Sequence, residues 1–91
     1  MRIWGKILKD NKMIKDTVIE NNDTDLSRTK KVYAALEAIC KEFDLAVPIW
    51  LDLNKKEFIL HSRTHFTSDS FIEGIDFDSL DFQVIEEDYW V

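Results

Sequence analysis

Three residues with side chains suited to metal binding or proton transfer recur at steps of four. They are Glu57, His61 and His65, in the stretch EFILHSRTHF, which holds both histidines of the chain. Steps of four keep side chains on one side of a helix, and they also keep them on one face of a strand. Neutral imidazoles with a carboxylate suit zinc or a similar divalent ion. The spacing therefore makes these three residues candidate metal ligands.

The same pattern has an ordinary structural interpretation. Pairs of histidines four apart are common by chance, whereas a metal site needs three or four convergent ligands. Arg63 lies between the two histidines and would repel a cation. We therefore predict no cofactor and no metal, and we interpret the histidines as solvated or hydrogen-bonded surface residues.

A second chemical interpretation of this segment is acid–base catalysis. His61 and His65 would then act as acid and base, and Arg63 would hold a phosphate. Such chemistry also needs a pocket that moves the two pKa values apart. We expect that the chain is not an enzyme, and a small metal-dependent or acid–base enzyme using His61 and His65 is the alternative.

The distribution of charge narrows the class of partner. Residues 1–63 hold all twelve Lys and Arg residues against ten acids, a net charge of +2. Residues 64–91 hold eight acids and neither Lys nor Arg, a net charge of −8. This acidic third would repel a polyanion, so direct phosphate contact there is not expected. Solubility alone would also explain such a bias.

The acidic third suggests a contact surface for a protein partner with a basic surface. Its acids alternate with apolar residues in IDFDSLDFQVIEED, which is typical of a folded strand and lacks the spacing of a calcium loop. Such a strand could also pair by an exposed edge with a partner or with itself, giving a homo-oligomer. The predicted partner-binding residues are Asp76, Asp78, Asp81, Glu86, Glu87, Asp88 and Trp90.

Nucleic acid and membrane are not the expected partners. The one patch that mixes basic and aromatic residues is the N-terminal segment around Trp4, and acids lie in it as well. No stretch approaches the ~18 apolar residues of a membrane span. The N-terminal segment MRIWGKILKDNK is interrupted by charge and does not resemble a signal peptide. We therefore expect a cytoplasmic protein.

Several elements are predicted to position these residues. RIWGKILKD and MIKDTVIE, joined through a polar turn, predict a β-hairpin. A helix follows, which Asp23, Thr24 or Asp25 would cap. Its apolar stripe is predicted to be Leu26, Thr29, Val32, Tyr33, Leu36, Ile39, Cys40 and Phe43. Cys40 on that stripe is interpreted as a core thiol.

The second half of the chain is less regular. Residues 52–63 fit a short helix or a turn followed by a strand, and we favour the helix. The stretch THFTSDSFIEGIDFDSL is predicted to be rich in turns. LDFQVIEED alternates apolar and polar residues and predicts a half-buried antiparallel strand. Residues 1–91 therefore form a single α+β domain, a small antiparallel sheet with one long helix on one face and a second short helix.

The stretches PIWLDLNKKEF, RTHFTSDSFIEGIDFDSL and FQVIEED, with the N-terminal MRIWGKILKDNK, resemble a small family of bacterial proteins of about this length. That family has no assigned function. The resemblance implies a bacterial cytosolic protein and transfers no site residue. With the charge distribution, it leads us to predict a protein-interaction module or an accessory or regulatory factor.

Overall fold

The structure, a computed structural model, describes residues 1–88. The elements in chain order are β1 (Arg2–Lys9), β2 (Lys12–Glu20), α1 (Arg28–Glu42), α2 (Asp52–His61), β3 (Arg63–Phe66), a 3₁₀ turn (Ser68–Ser70) and β4 (Ser79–Glu86). This arrangement confirms the predicted α+β class, with its N-terminal hairpin and its late strand. Neither helix is long and apolar enough to cross a membrane, as far as the described residues extend.

The four strands form one antiparallel sheet in the order β2-β1-β4-β3. The hairpin turns at Asp10 and Asn11, whose φ angles of 53° and 64° suit the tight turns that join twisted strands. The acidic strand β4 lies between β1 and β3, so both of its edges are already paired. The expectation that β4 offers a free edge is therefore wrong. Within residues 1–88, the outer strands are β2 and β3.

Helix α1 packs its apolar stripe against the sheet. Val32, Leu36, Ile39 and Cys40 are buried, as predicted. Thr29 and Tyr33 are exposed, because the buried stripe is narrower than the sequence suggested. The predicted capping residues are also wrong, since the hydroxyl of Ser27 accepts the backbone N–H of Lys30 at 3.2 Å.

The close approach of α1 to β1 depends on a glycine. A Cβ atom built on Gly5 would lie 2.7 Å from two side-chain carbons of Ile39. Such a distance is a steric overlap, so any larger residue at position 5 would push the helix outward. The fully buried Cys40 lies one residue further along α1, and burial raises the pKa of its thiol to about 11. The prediction of a core thiol at Cys40 agrees with this burial.

Helix α2 confirms the helical interpretation of residues 52–61. It ends at Ser62, which adopts a left-handed conformation with a φ of 55°. The chain then enters β3, most of which lies in the stretch from Thr64 that the sequence predicted to be rich in turns. That prediction is wrong because β3 is a four-residue strand whose pairing partner, β4, lies far along the chain.

Candidate functional site

The predicted metal ligands do not form one cluster. Glu57 and His61 lie on α2, whereas His65 lies on β3 beyond the left-handed Ser62. The carboxylate of Glu57 accepts the hydroxyl of Thr64 at 2.9 Å, and Nδ1 of His65 lies 3.0 Å from a carboxylate oxygen of Asp81. In residues 1–88 no three His, Cys, Asp or Glu side chains lie where they could hold a metal ion.

The geometry of these histidines gives no support to acid–base catalysis. His61, Arg63 and His65 are all exposed, and none lines the groove between the two helices that is described below. Glu57 instead belongs to a polar network beneath α2. The buried amide of Asn54 donates to the hydroxyl of Thr64 at 2.9 Å and to the carbonyl of His65 at 2.8 Å. The network ties α2 to β3.

Five of the six predicted partner-binding acids contact other parts of this chain, and Asp78, one of the five, is described with its loop below. Asp81 contacts His65 and accepts the hydroxyl of Ser79 at 2.8 Å. Glu86 lies 4.0 Å from Arg2, a long and solvent-exposed pair. Glu87 and Asp88 make the closer contacts described next. Trp90, the aromatic member of the predicted set, lies outside the described residues.

Asp88 neutralises a buried lysine. Lys31 of α1 is only 2% exposed, and its Nζ lies 2.7 Å from one carboxylate oxygen of Asp88. The other oxygen accepts the terminal ammonium of Met1 at 2.6 Å. These hydrogen bonds, that of Lys31 foremost, hold the pKa of the Asp88 carboxyl below its usual value. Asp88 is thus a structural residue that joins α1 to the end of the sheet.

Glu87 makes a two-point pair with Arg28 at the start of α1. The guanidinium donates from Nε at 3.0 Å and from Nη2 at 2.9 Å. The hydrogen bond lowers the pKa of Glu87 and raises that of Arg28. Both side chains are about half exposed, so water screens their attraction.

The remaining acids lie in the segment 69–78, which we name the acidic loop. Asp69, Glu73 and Asp76 are exposed, and within residues 1–88 none of them forms an ion pair. Asp78 ends the loop and accepts the backbone N–H of Asp10 at 2.9 Å. The unneutralised negative charge of the acidic third is therefore concentrated in this loop.

The acidic loop is anchored at both ends. Phe71 and Phe77 meet edge to face with ring centres 5.9 Å apart, and the backbone N–H of Asp78 donates to the carbonyl of Leu8 at 2.8 Å. Between these anchors Ile72 is 89% exposed. The loop, held at both ends, thus presents an exposed aliphatic side chain among carboxylates.

A groove of about 320 Å³ lies between the two helices, and we name it the interhelical groove. Its lining residues are Arg28, Thr29, Val32 and Tyr33 of α1, Trp50, and Lys55, Phe58 and Ile59 of α2. Apolar and aromatic side chains predominate, and two basic residues accompany them. That composition is typical of binding sites, in which a few polar groups orient an otherwise apolar contact.

Trp50 anchors the aromatic side of the groove. Its ring meets Phe58, Phe66 and Tyr33 edge to face, with ring centres 5.4, 5.0 and 6.1 Å away. Its buried indole N–H finds no acceptor among residues 1–88. These contacts hold the aromatic side of the groove in place within the single chain.

The groove is electropositive at its α1 end. The first turn of α1 carries no acid but includes Arg28 and Lys30, and the helix dipole adds positive potential there. Lys55 on the opposite helix is exposed and has no ion-pair partner among the described side chains. Because Glu87 neutralises Arg28, the groups that favour an anionic occupant are Lys55 and the positive end of the α1 dipole.

Sequence reasoning missed the interhelical groove because it is formed by two elements whose packing no local pattern reveals. One signal was present: α2 is apolar on several sides, with Leu53, Phe58, Ile59 and Leu60 in ten residues. A helix of that kind in a small domain cannot bury all its apolar residues on one face.

Neither a protein-family model nor a curated protein nor a solved structure matches this chain. The resemblance to a small bacterial family therefore stays a prediction. The function is inferred from the geometry above.

Proposed function

We propose that this protein is an interaction module that binds another protein through the interhelical groove and the adjoining outer face of α2. The observation that carries the proposal is the exposure of that helix. Leu53, Ile59 and Leu60 are 68%, 82% and 73% exposed. Single exposed apolar residues are ordinary, but several on one short helix beside an apolar groove are typical of an interaction surface.

The segment that leads into α2 extends the same apolar character. Val47, Ile49 and Leu51 are also exposed, and this segment is held against the 3₁₀ turn by a backbone hydrogen bond from Ile49 to Ser70 of 2.8 Å. Burying one such side chain in a contact contributes roughly 1.5–3 kcal/mol. A few of them would supply the apolar centre of an interface, and Lys55 would lie in its polar rim.

The proposal keeps a basic partner surface for the acidic third, at a narrower position than the sequence suggested. Within the acidic third, Asp69, Glu73 and Asp76 are exposed and form no ion pair among the described residues, and Asp78 accepts only a backbone N–H, so these three have charge available for a partner. Such complementarity mainly raises association rate and selectivity. An accessory or regulatory role in the cytoplasm of a bacterium belongs to the same proposal.

Site-specific photo-crosslinking in the source cells tests the proposal. A photoreactive amino acid at position 59, in the groove wall, is compared with the same group at Glu37, an exposed position of α1 that does not line the groove. We expect a discrete protein adduct from position 59 and none from position 37. The adduct should disappear when Lys55→Glu is added. Equal labelling from both positions would refute the proposed surface.

A further inference from the structure

We propose that the occupant of the interhelical groove is the acidic loop of a second copy of this chain. The inference rests on the proposed function, because it names the partner of the same groove. It follows from four observations: the two surfaces are opposite in charge, both carry apolar side chains, both are anchored within the single chain, and they occupy different positions on the molecule.

The charges of the two surfaces are complementary. The groove offers Lys55, unpaired among the described side chains, and the positive end of the α1 dipole lies beside it, although Arg28 at that end is already paired with Glu87. The acidic loop offers Asp69, Glu73 and Asp76, which have no ion pairs within residues 1–88. A contact between them would give partners to charges that are unpaired in the single chain.

The apolar parts also match. Ile72 projects from the acidic loop at 89% exposure, and nothing lies within 4 Å of a Cβ built at the neighbouring Gly74. The groove presents Val32, Phe58 and Ile59 as apolar walls. Its volume of about 320 Å³ is at the lower end of the range found for ligand pockets, and an aliphatic side chain with a carboxylate fits within it.

Both surfaces are held in place before any contact forms. The edge-to-face pair of Phe71 and Phe77 anchors the loop, and the aromatic contacts of Trp50 with Phe58 and Phe66 anchor the groove. Little conformational entropy is therefore lost on association.

The far end of the acidic loop and the α1 end of the groove lie toward opposite ends of β1, whereas the start of the loop lies nearer the groove, because the carbonyl of Ser70 accepts the backbone N–H of Ile49. The loop ends at Asp78, which bonds to Leu8, whereas the groove includes Arg28, which pairs with Glu87 next to the partner of Arg2. Leu8 lies six positions beyond Arg2 along β1, a distance of roughly 20 Å at ~3.3 Å per residue. The contact therefore joins two different surfaces and pairs one copy with the next.

Charge reversal tests the contact on the intact chain. Lys55 and Glu73 are both exposed and form no ion pair within residues 1–88, so Lys55→Glu and Glu73→Lys leave the core untouched. Sedimentation velocity over a concentration series measures self-association of each protein, with Glu37→Lys as the matched control on an exposed part of α1.

We expect the original chain and the Glu37→Lys control to self-associate, with weaker association at higher salt. Each single reversal brings like charges together, so its dissociation constant should rise at least about tenfold. An equimolar mixture of the two reversals should associate again, because each groove then meets a loop of opposite charge. The Ile72→Ser variant should also weaken association.

Two results would overturn the inference: a chain that stays monomeric throughout the concentration series, or reversals that associate alone as well as they do mixed. Neither result touches the broader proposal. An adduct from position 59 with a different protein would then identify another occupant of the groove, whereas absence of any adduct together with a monomeric chain would remove both.

Discussion

Helices α1 and α2 differ in what holds them to the sheet. Helix α1 is held by apolar contacts: Val32, Leu36 and Ile39 are buried against the strands. Helix α2 buries one large apolar residue, Phe58, and is joined to β3 by the buried amide of Asn54. Its other apolar side chains face outward.

This difference indicates a division of roles between the helices. Apolar burial supplies most of the free energy of folding, so α1 is expected to be the main stabilising helix. A polar network sets orientation more than it adds stability. The outer face of α2 is then available for binding, and its residues can vary with little effect on folding.

Truncation inside α1 should have the largest effect. Leu36 is 1% exposed, so Leu36→Ala removes buried methyl groups and leaves a cavity. We expect the free energy of unfolding to fall by about 2–5 kcal/mol. Urea denaturation followed by circular dichroism measures the loss. A loss no larger than that of a surface substitution, within about 0.5 kcal/mol, would show that α1 is not the main stabilising helix.

Removal of the amide that joins α2 to β3 should have a smaller effect. In Asn54→Ala the hydroxyl of Thr64 and the carbonyl of His65 lose a donor, and the backbone N–H of Leu51 loses its 3.0 Å acceptor. Unsatisfied buried polar groups cost about 1–3 kcal/mol. The same denaturation series measures the cost, and hydrogen exchange should show the loss of protection confined to α2 and β3. Equal loss of protection in α1 would contradict the proposed independence of the helices.

The Arg28–Glu87 pair, which ties α1 to the end of β4, should make a modest, pH-dependent contribution to the free energy of unfolding. Hydrogen bonding lowers the pKa of Glu87 in the folded state, so the folded protein binds fewer protons than the unfolded one as pH falls through the ordinary carboxylate range. The contribution is present above the usual Glu value of 4.5 and is lost below it. Asp88, whose pKa is also lowered, follows the same direction.

Thermal unfolding at neutral pH and near pH 4 measures this effect. Because the Arg28–Glu87 pair is solvent-screened, Glu87→Gln should cost roughly 0–1 kcal/mol at neutral pH and should make stability less dependent on pH. A variant with the same pH dependence as the original chain would show that Glu87 does not contribute to acid sensitivity.

Substitution on the outer face of α2 should have the smallest effect on folding. Ile59→Gln changes a side chain that is 82% exposed, so stability should stay within about 0.5 kcal/mol. The matched change Ile39→Gln, at a fully buried position of α1, should unfold the protein or nearly so. Comparable losses at the two positions would place α2 in the stabilising core.

The elements that could be predicted from sequence are those with a local pattern. The alternation of apolar residues predicted β4, and the three- and four-residue spacing predicted α1. The buried Lys31 was not predictable, because its position depends on Asp88, which lies 57 residues away along the chain. Strand β3 was missed for a related reason, since four residues give too short a period to distinguish strand from turn.

The charge pattern predicted an acidic third but not which of its acids would remain without an ion pair. That depends on tertiary contacts such as Arg28 with Glu87 and Lys31 with Asp88. The histidine spacing suggested convergence, yet Ser62 ends α2 between the two residues and sends His65 into the sheet. Spacing along a chain predicts a shared face only while one element continues.

The lone thiol at Cys40 gives the protein a built-in reporter of its own opening. It is fully buried in α1, and its pKa of about 11 leaves little thiolate at neutral pH. A thiol-specific reagent can modify it only when α1 leaves the sheet, so the labelling rate measures how often that happens. Opening confined to α2 would leave this rate unchanged, which separates motions of the binding surface from unfolding of the core without introducing a probe.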